Sequence, residues 1–357
     1  MKKIILIITI LLLTGCYNYT EINDLAFVSS IGIDYDVDSE KFLVTYEILN
    51  DNNTGENRNN KSYIITGSGK NIYDAFDNAT LKVNNKPYFY HLKVIAISES
   101  IAKNYTKEVV DAILRNPDVK NEFFLVLIKN NKTYEILDKA NEIDLDIGNK
   151  IFNMIKTNKV QSNISIDQNF EATTRYFANN LSNAILNTFT LNEMDEIIEI
   201  GLSAFDEYTY KKTFTNEESI LFNLIFKEDG GITLNKKYDD KLLTINLYNA
   251  SSNIKIKDST IYFNITSNGE VKVNTTSLNL KDEKTYKKIN KDFSKMLNEK
   301  LLIFIENLKK DNLDILEVNN LYYEKYRKKI NALQTFDIKV NANVLIDKKG
   351  LIFKFEN

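Results

Sequence analysis

An α+β fold of two or three domains, each a mixed or antiparallel sheet with helices packed on it, follows from three features of this chain. Segments of period 2 alternate with segments of helical period up to about residue 140, which suggests a mixed sheet covered by helices. Beyond about residue 202, short alternating segments are followed by one long amphipathic stretch. The length of 357 residues exceeds what one hydrophobic core usually organises. Hydrophobic residues make up 43% and charged residues 27%, with 20 Tyr and 20 Phe, so a disordered chain is excluded.

The first residues stand apart from that fold. Lys2 and Lys3 precede an apolar run from Ile4 to Leu13, and Leu13-Thr14-Gly15-Cys16 ends it. A positive start, a short apolar stretch and small residues before a cysteine make a secretory signal with a lipobox. The run is about half of the roughly 20 residues that a membrane-spanning helix needs. Residues 1–15 are therefore read as a lipoprotein signal peptide, and Cys16, the single cysteine of the chain, as the lipidated mature N-terminus. An ordinary signal peptide with an incidental Cys16 is the alternative. With Lys2 and Lys3 gone the formal charge moves from −3 to −5, which leaves no basic excess to neutralise nucleic-acid phosphates. No later apolar run reaches spanning length, so the chain after Cys16 is expected to be soluble.

Leu25 to Ile33 and Lys41 to Leu49 read as a hairpin joined by the acidic stretch Asp34 to Glu40. The Asp-x-Asp-x-Asp spacing there fails as a calcium loop, because Ser39 and Thr45 occupy the positions that need Gly and Glu. Asp51 to Ser62, Asn-rich and without apolar residues, is an exposed loop. Tyr63 to Ile65 is a short strand, and Gly67-Ser68-Gly69 a turn opening a helix marked by Ile72, Ala75, Phe76, Ala79 and Val83. Leu92 to Ser98 and Phe123 to Ile128 are buried strands flanking a helix from Tyr105 to Leu114, which Arg115-Asn116-Pro117 ends. Thr133 to Ala140 is a short helix, and Asn141 to about Gly201 a broken helical connecting region. The N-terminal domain thus covers residues 16–198 and the C-terminal one 202–357.

In the second domain Thr215 and Glu218 form a capping box before a helix over Ile220 to Phe226. Short strands follow at 243–247, 254–256, 261–265 and 271–273. Thr285 to Lys310 carries apolar residues at helical spacing from Tyr286 to Leu308 and is the plainest helix of the chain. A further helix is expected over Leu316 to Leu333, then a last hairpin from Phe336, turned at Asp347-Lys348-Lys349-Gly350.

Catalytic chemistry is poorly supplied. His91, the only histidine, precedes a buried strand and has no recognisable nucleophile or metal-ligand cluster about it, so a structural role is expected. Phosphate-binding glycine loops are missing, because Gly67 and Gly69 lack the third glycine of a dinucleotide fingerprint. No cofactor, no metal and no catalytic residue is expected. The residues alone favour an exported, lipid-tethered, non-enzymatic binding or scaffold protein.

Several stretches, in order, resemble the GerC-type, or Ger(x)C, spore germination lipoproteins. They are Cys16 to Ala26, Gly32-Ile33-Asp34-Tyr35-Asp36, Gly69 to Ala75, His91 to Ile95 and Arg115-Asn116-Pro117-Asp118, with the lipobox in front. The family often has Trp after the lipidated cysteine, where this chain has Tyr17 and no tryptophan anywhere. The resemblance implies a non-enzymatic C subunit of a nutrient germinant receptor, acting in spore germination beside membrane-embedded A and B subunits. It would be held by lipid on Cys16, a diacylglyceryl thioether with palmitate-type chains, on the outer face of the spore inner membrane. Two readings compete with it: a solute-binding lipoprotein of a transporter, which usually needs two similar lobes around a cleft, and an extracytoplasmic hydrolase.

Overall fold

The strand and helix alternation of the first half builds one wide sheet. A computed structural model describes residues 21–50, 62–143, 146–226, 231–276, 278–280 and 282–348. The lipobox, residues 51–61 of the Asn-rich loop and the turn at Lys349-Gly350 lie outside them. β1 (Leu25–Asp36) and β2 (Lys41–Leu49) form the antiparallel hairpin that the alternation predicts. The turn is shorter than the acidic stretch suggested. Asp34, Tyr35 and Asp36 still pair with Leu43, Phe42 and Lys41, so residues 37–40 alone reverse the chain.

β3 (Ser62–Gly69) pairs with β2 and contains both glycines that the sequence placed in a turn before α1 (Ile72–Thr80). The reason is packing. α1 lies directly on the strand, where a Cβ on Gly67 would stand 2.1 Å from the Ala79 amide nitrogen. β4 (Lys86–Tyr88) pairs beside the start of β1 and is too short to show a period. β5 (Val94–Ser98) and β6 (Phe124–Ile128) run parallel to β1, connected by α2 (Glu99–Asn104) and α3 (Thr106–Arg115), of which only α3 was legible. α4 (Thr133–Ile143) and α5 (Ile147–Gln161) cover the opposite face from α1, α2 and α3. α6 (Phe170–Phe177) returns to the first face.

The stretch from Asn141 to Gly201 is not a helical connection throughout. After α5 and α6 it holds β7 (Ala184–Leu191), parallel to β6, and most of β8 (Ile197–Asp206), antiparallel to β7. β7 is buried at every position but its last, so the period of 2 that marks a half-exposed strand is erased. β9 (Thr209–Thr213) adds the last strand, giving the order β3-β2-β1-β5-β6-β7-β8-β9 with β4 beside β1. The boundary expected near Leu202 therefore falls inside β8.

α7 (Asn216–Phe226) starts at the expected capping box, in which Glu218 N donates to Thr215 Oγ1 at 3.2 Å and Thr215 N to Glu218 Oε2 at 2.9 Å. The second sheet has the order β10 (Thr233–Tyr238), β11 (Lys241–Lys257), β12 (Thr260–Asn274) and β13 (Asp337–Lys348). Only the β12–β13 pair is parallel. Four short strands were expected where β11 and β12 run 17 and 15 residues. The bulge at Tyr248/Ser251 shifts the alternation of β11, whereas β12 keeps its alternation and reads as two because Ser267 and Gly269 occupy its inward positions between Ile265 and Val271. α8 (Glu283–Asp311) turns Ile289, Phe293, Leu297, Leu301 and Phe304 onto this sheet. The single helix expected over 316–333 is two, α9 (Val318–Tyr326) and α10 (Ala332–Thr335), because Arg327 takes a left-handed φ of 54°. The whole is a two-domain α+β organisation.

Among the described residues β13 lies at a sheet edge, and α8 closes it. Ile346 N donates to Asn290 Oδ1 at 3.2 Å, Val344 N to Ser294 Oγ at 2.9 Å and Ala342 N to Asn298 Oδ1 at 3.1 Å. Four helix residues rise about 6 Å and two strand residues about 6.6 Å, so the two repeats stay in step over this length. An edge left open invites pairing with another chain. Replacing Asn290, Ser294 and Asn298 together by Ala is expected to cost about 3 kcal/mol, at roughly 1 kcal/mol per hydrogen bond, and to promote self-association. Denaturant melts and light scattering check this; an unchanged midpoint in a monodisperse sample argues against it.

Candidate functional site

The connection between α5 and α6 is fastened by side chains to β7 on one side and to α7 and the residues before β10 on the other. Asn187 of β7 brackets Ile166, accepting from its N at 2.9 Å and donating to its O at 2.9 Å. Asn223 of α7 donates to Asn163 O at 2.8 Å and Ser165 O at 3.2 Å, and Asn163 reaches Gly231 O at 3.3 Å. A second fastening joins Asn183, just before β7, to Asp314, just before α9. Asn183 N donates to Asp314 O at 3.0 Å, and Asp314 N to Asn183 Oδ1 at 2.6 Å. The Asp314 carboxylate accepts from Val318 N and Asn319 N at the start of α9, and burial pushes its pKa up to about 6.

Between these fastenings lies a cavity of about 800 Å³, walled by α5, α6, α7 and the starts of β5 and β6. Its apolar wall is aromatic: Phe124 and Phe152 stand 5.5 Å apart, and Phe222 stacks on Phe226 at 5.1 Å. Lysine ammonium groups lie over these rings, Lys93 at 5.2 Å from the Phe152 centroid and Lys156 at 5.3 Å from that of Phe124. Lys156 and Lys159 also bind Asp167 at 2.6 and 3.1 Å. Burial alone would raise Asp167, but the two lysines outweigh it and hold this carboxyl below its usual range. Tyr176 donates to Glu317 at 2.7 Å across the cavity, and burial together with that carboxylate pushes the phenol upward.

Such a lining can hold a partly apolar, partly charged group. Among the described residues no cluster of three His, Cys, Asp or Glu side chains could hold a metal ion. His91 is exposed, three residues before β5, with Phe27 at 5.4 Å and Tyr88 at 6.1 Å from its ring. Cys16 lies outside the described residues.

Sequence reasoning missed the buried carboxylates. Asp34 accepts from Thr133 N, Thr133 Oγ1 and Tyr134 N at the start of α4, and Glu47 accepts from Ile147 N and Gly148 N at the start of α5. Burial raises both pKa values, and the hydrogen bonds offset this only in part. A signal was available, since Asp34 and Glu47 interrupt otherwise apolar or hydroxyl-bearing strands. Glu199 of β8 accepts from Ser165 Oγ and from Asn158 Nδ2 at 2.7 Å, leaving Oε1 buried with no partner among the described residues. Burial pushes Glu199 up to about 7, against an ordinary 4.5.

The native chain therefore binds a proton at Glu199 that the unfolded chain has released, over the window from about pH 4.5 to about pH 7. Stability falls as pH rises through that window and levels off above it. Asp314 acts in the same sense at lower pH. Glu199→Gln is expected to give a visibly shallower decline of the thermal midpoint between about pH 5 and pH 8, the Glu199 share being at most about 3 kcal/mol. Equal slopes in both proteins would refute it.

Two family matches divide the chain between them. The family described as spore germination protein N-terminal domain covers residues 18–191, and that described as spore germination B3/GerAC like, C-terminal, covers residues 200–350. The chain belongs to the GerC-type family of spore germination proteins. Among the relatives of this GerC-type chain, spore germination protein KC of Bacillus subtilis (strain 168) is 23% identical, over 97% of this chain and 93% of its own length. Spore germination protein B3 of the same organism is 24% identical over 39% of this chain and 37% of its own. The crystal structure of the GerBC protein has the same fold, with a TM-score of 0.60 at 13% identity over 89% of this chain and 97% of that one. Among the described residues no helix is long and apolar enough to cross a membrane.

Proposed function

We propose that this GerC-type chain is the lipid-anchored C subunit of a nutrient germinant receptor, working without catalysis beside membrane-embedded A and B subunits on the outer face of the spore inner membrane. The observation that carries the proposal is the junction of lipobox and family match. The matched region begins at residue 18, two residues after Cys16, so a chain matured at Cys16 would present the family domain almost from its first residue. A division into two domains is part of the same proposal: the first family match ends at residue 191 and the second begins at residue 200, while the first sheet runs on through β8 and β9 to Thr213, which puts the division after β9 and not within residues 198–202.

The test is genetic and biochemical together. Spores lacking this gene are expected to lose the response to one class of nutrients while still germinating on others, and tagged protein from solubilised spore membranes is expected to bring down the A and B subunits. A normal response to every nutrient tried, with no subunit recovered, overturns the proposal.

A further inference from the structure

We infer that the amino end of β1 is a membrane-docking surface, and that the ordered protein rests on the bilayer through Ile22, Leu81 and Tyr90. The inference rests on the lipid anchor proposed above and adds which face of the protein meets the lipid. Six residue steps separate Cys16 from Ile22, so even a fully extended chain would place Ile22 at most about 25 Å from an acylated sulfur. Ile22 is 66% exposed in the turn before β1, and Leu81, 81% exposed, follows α1. The two ends are tied together, since Asn85 Nδ2 donates to Asn23 O at 2.9 Å and β4 pairs with the first residues of β1. Tyr90, 55% exposed, follows β4 and stacks on Tyr88 at 4.9 Å.

Exposed aliphatic residues beside tyrosines and lysines are the composition of a membrane interface, where aromatic rings sit at the headgroup level. Lys120 lies over the Tyr90 ring at 4.2 Å, and Lys82 and Lys86 flank Leu81 and β4. Glu21 and Asp24 stand at the same end, so the patch has little net charge. Apolar and aromatic insertion must then supply the attraction, and anionic lipid adds little. The consequence for function is orientation. Phe89, Tyr90 and Lys120 also border the cavity between the sheets, so docking brings that cavity beside the membrane and within reach of membrane-embedded partners.

The chain has no tryptophan, so Tyr90→Trp and Val37→Trp each install a single fluorescent reporter. Val37, 70% exposed, lies in the turn at the far end of β1. The full lipidated chain is reconstituted into phosphatidylcholine vesicles, with and without phosphatidylglycerol, carrying brominated acyl chains. The expected result is a blue-shifted Tyr90→Trp emission quenched several-fold more than that of Val37→Trp, with either lipid mixture. Protein that floats with the vesicles but shows equal quenching, or stronger quenching at position 37, overturns the docking alone. Protein that does not float at all overturns the anchor and the docking together.

Discussion

Glu47→Ala is expected to yield little folded protein. Glu47 is fully buried and accepts four hydrogen bonds: from Ser30 Oγ at 2.6 Å, Ser62 Oγ at 2.9 Å, Ile147 N at 2.6 Å and Gly148 N at 2.9 Å. The last two are amides of the first turn of α5, which have no partner within their own helix. Alanine removes the acceptor and leaves these donors in an interior closed to bulk water. Each buried amide left unpaired costs about 1–3 kcal/mol, so the two together forfeit about 2–6 kcal/mol before any cavity is counted. Whole domains are stable by only about 5–15 kcal/mol. The serine hydroxyls can rotate to other partners and add less. Glu47→Gln keeps one acceptor oxygen but turns an amide N–H toward helix donors, so an intermediate loss is expected. Asp34→Ala, which strands three donors at the start of α4, belongs in the same series. Thermal melts followed by circular dichroism measure all three. A Glu47→Ala midpoint within about 2 °C of wild type would falsify this account of how α5 is seated.

That same glutamate shows where the sequence stops being legible. Glu47 and its helix partners are separated by about a hundred positions, and no local period can say which helix start a buried carboxylate will meet. Local signals served well where one face of an element meets water. The α8 stripe from Ile289 to Leu308 and the Thr215–Glu218 capping box are of this kind. The continuous apolar runs of β5 and β6 also identified them, but β7, covered on both faces, was missed because its Ala184, Ile185 and Phe189 fit a helix as readily as a strand. Local signals also failed at irregularities, since a bulge of β11 split it into two apparent strands and Arg327 divided one apparent helix. Of the candidate site, the lysine and aromatic lining of the cavity was not foreseen, because its residues come from helices and strand ends spread from Phe89 to Glu317.

Cys16→Ala is expected to abolish membrane retention by lipid, the largest effect of any single change proposed for this chain. The lipobox reading makes the Cys16 thiol the acceptor of a diacylglyceryl group, after which the signal is cut before Cys16. One acyl chain binds a membrane only marginally and reversibly, at about 0.8 kcal/mol per buried CH₂, whereas two chains anchor it stably. On the proposed function, confinement to the membrane plane would bring the subunit to its partners at high effective concentration, so that a weak protein contact would be enough to hold a receptor together. Alanine has no thiol to acylate. The variant is then either retained uncleaved on its signal helix or released by another peptidase, and the receptor it serves responds slowly or not at all. The docking surface around Ile22 and Tyr90 cannot replace the anchor, because three exposed side chains bury far less apolar area than two acyl chains. Mass spectrometry of the mature N-terminus, read beside membrane fractionation and a germination assay, decides the matter. A wild-type protein that is membrane-bound and functional with an unmodified Cys16 would end the lipid-anchor reading.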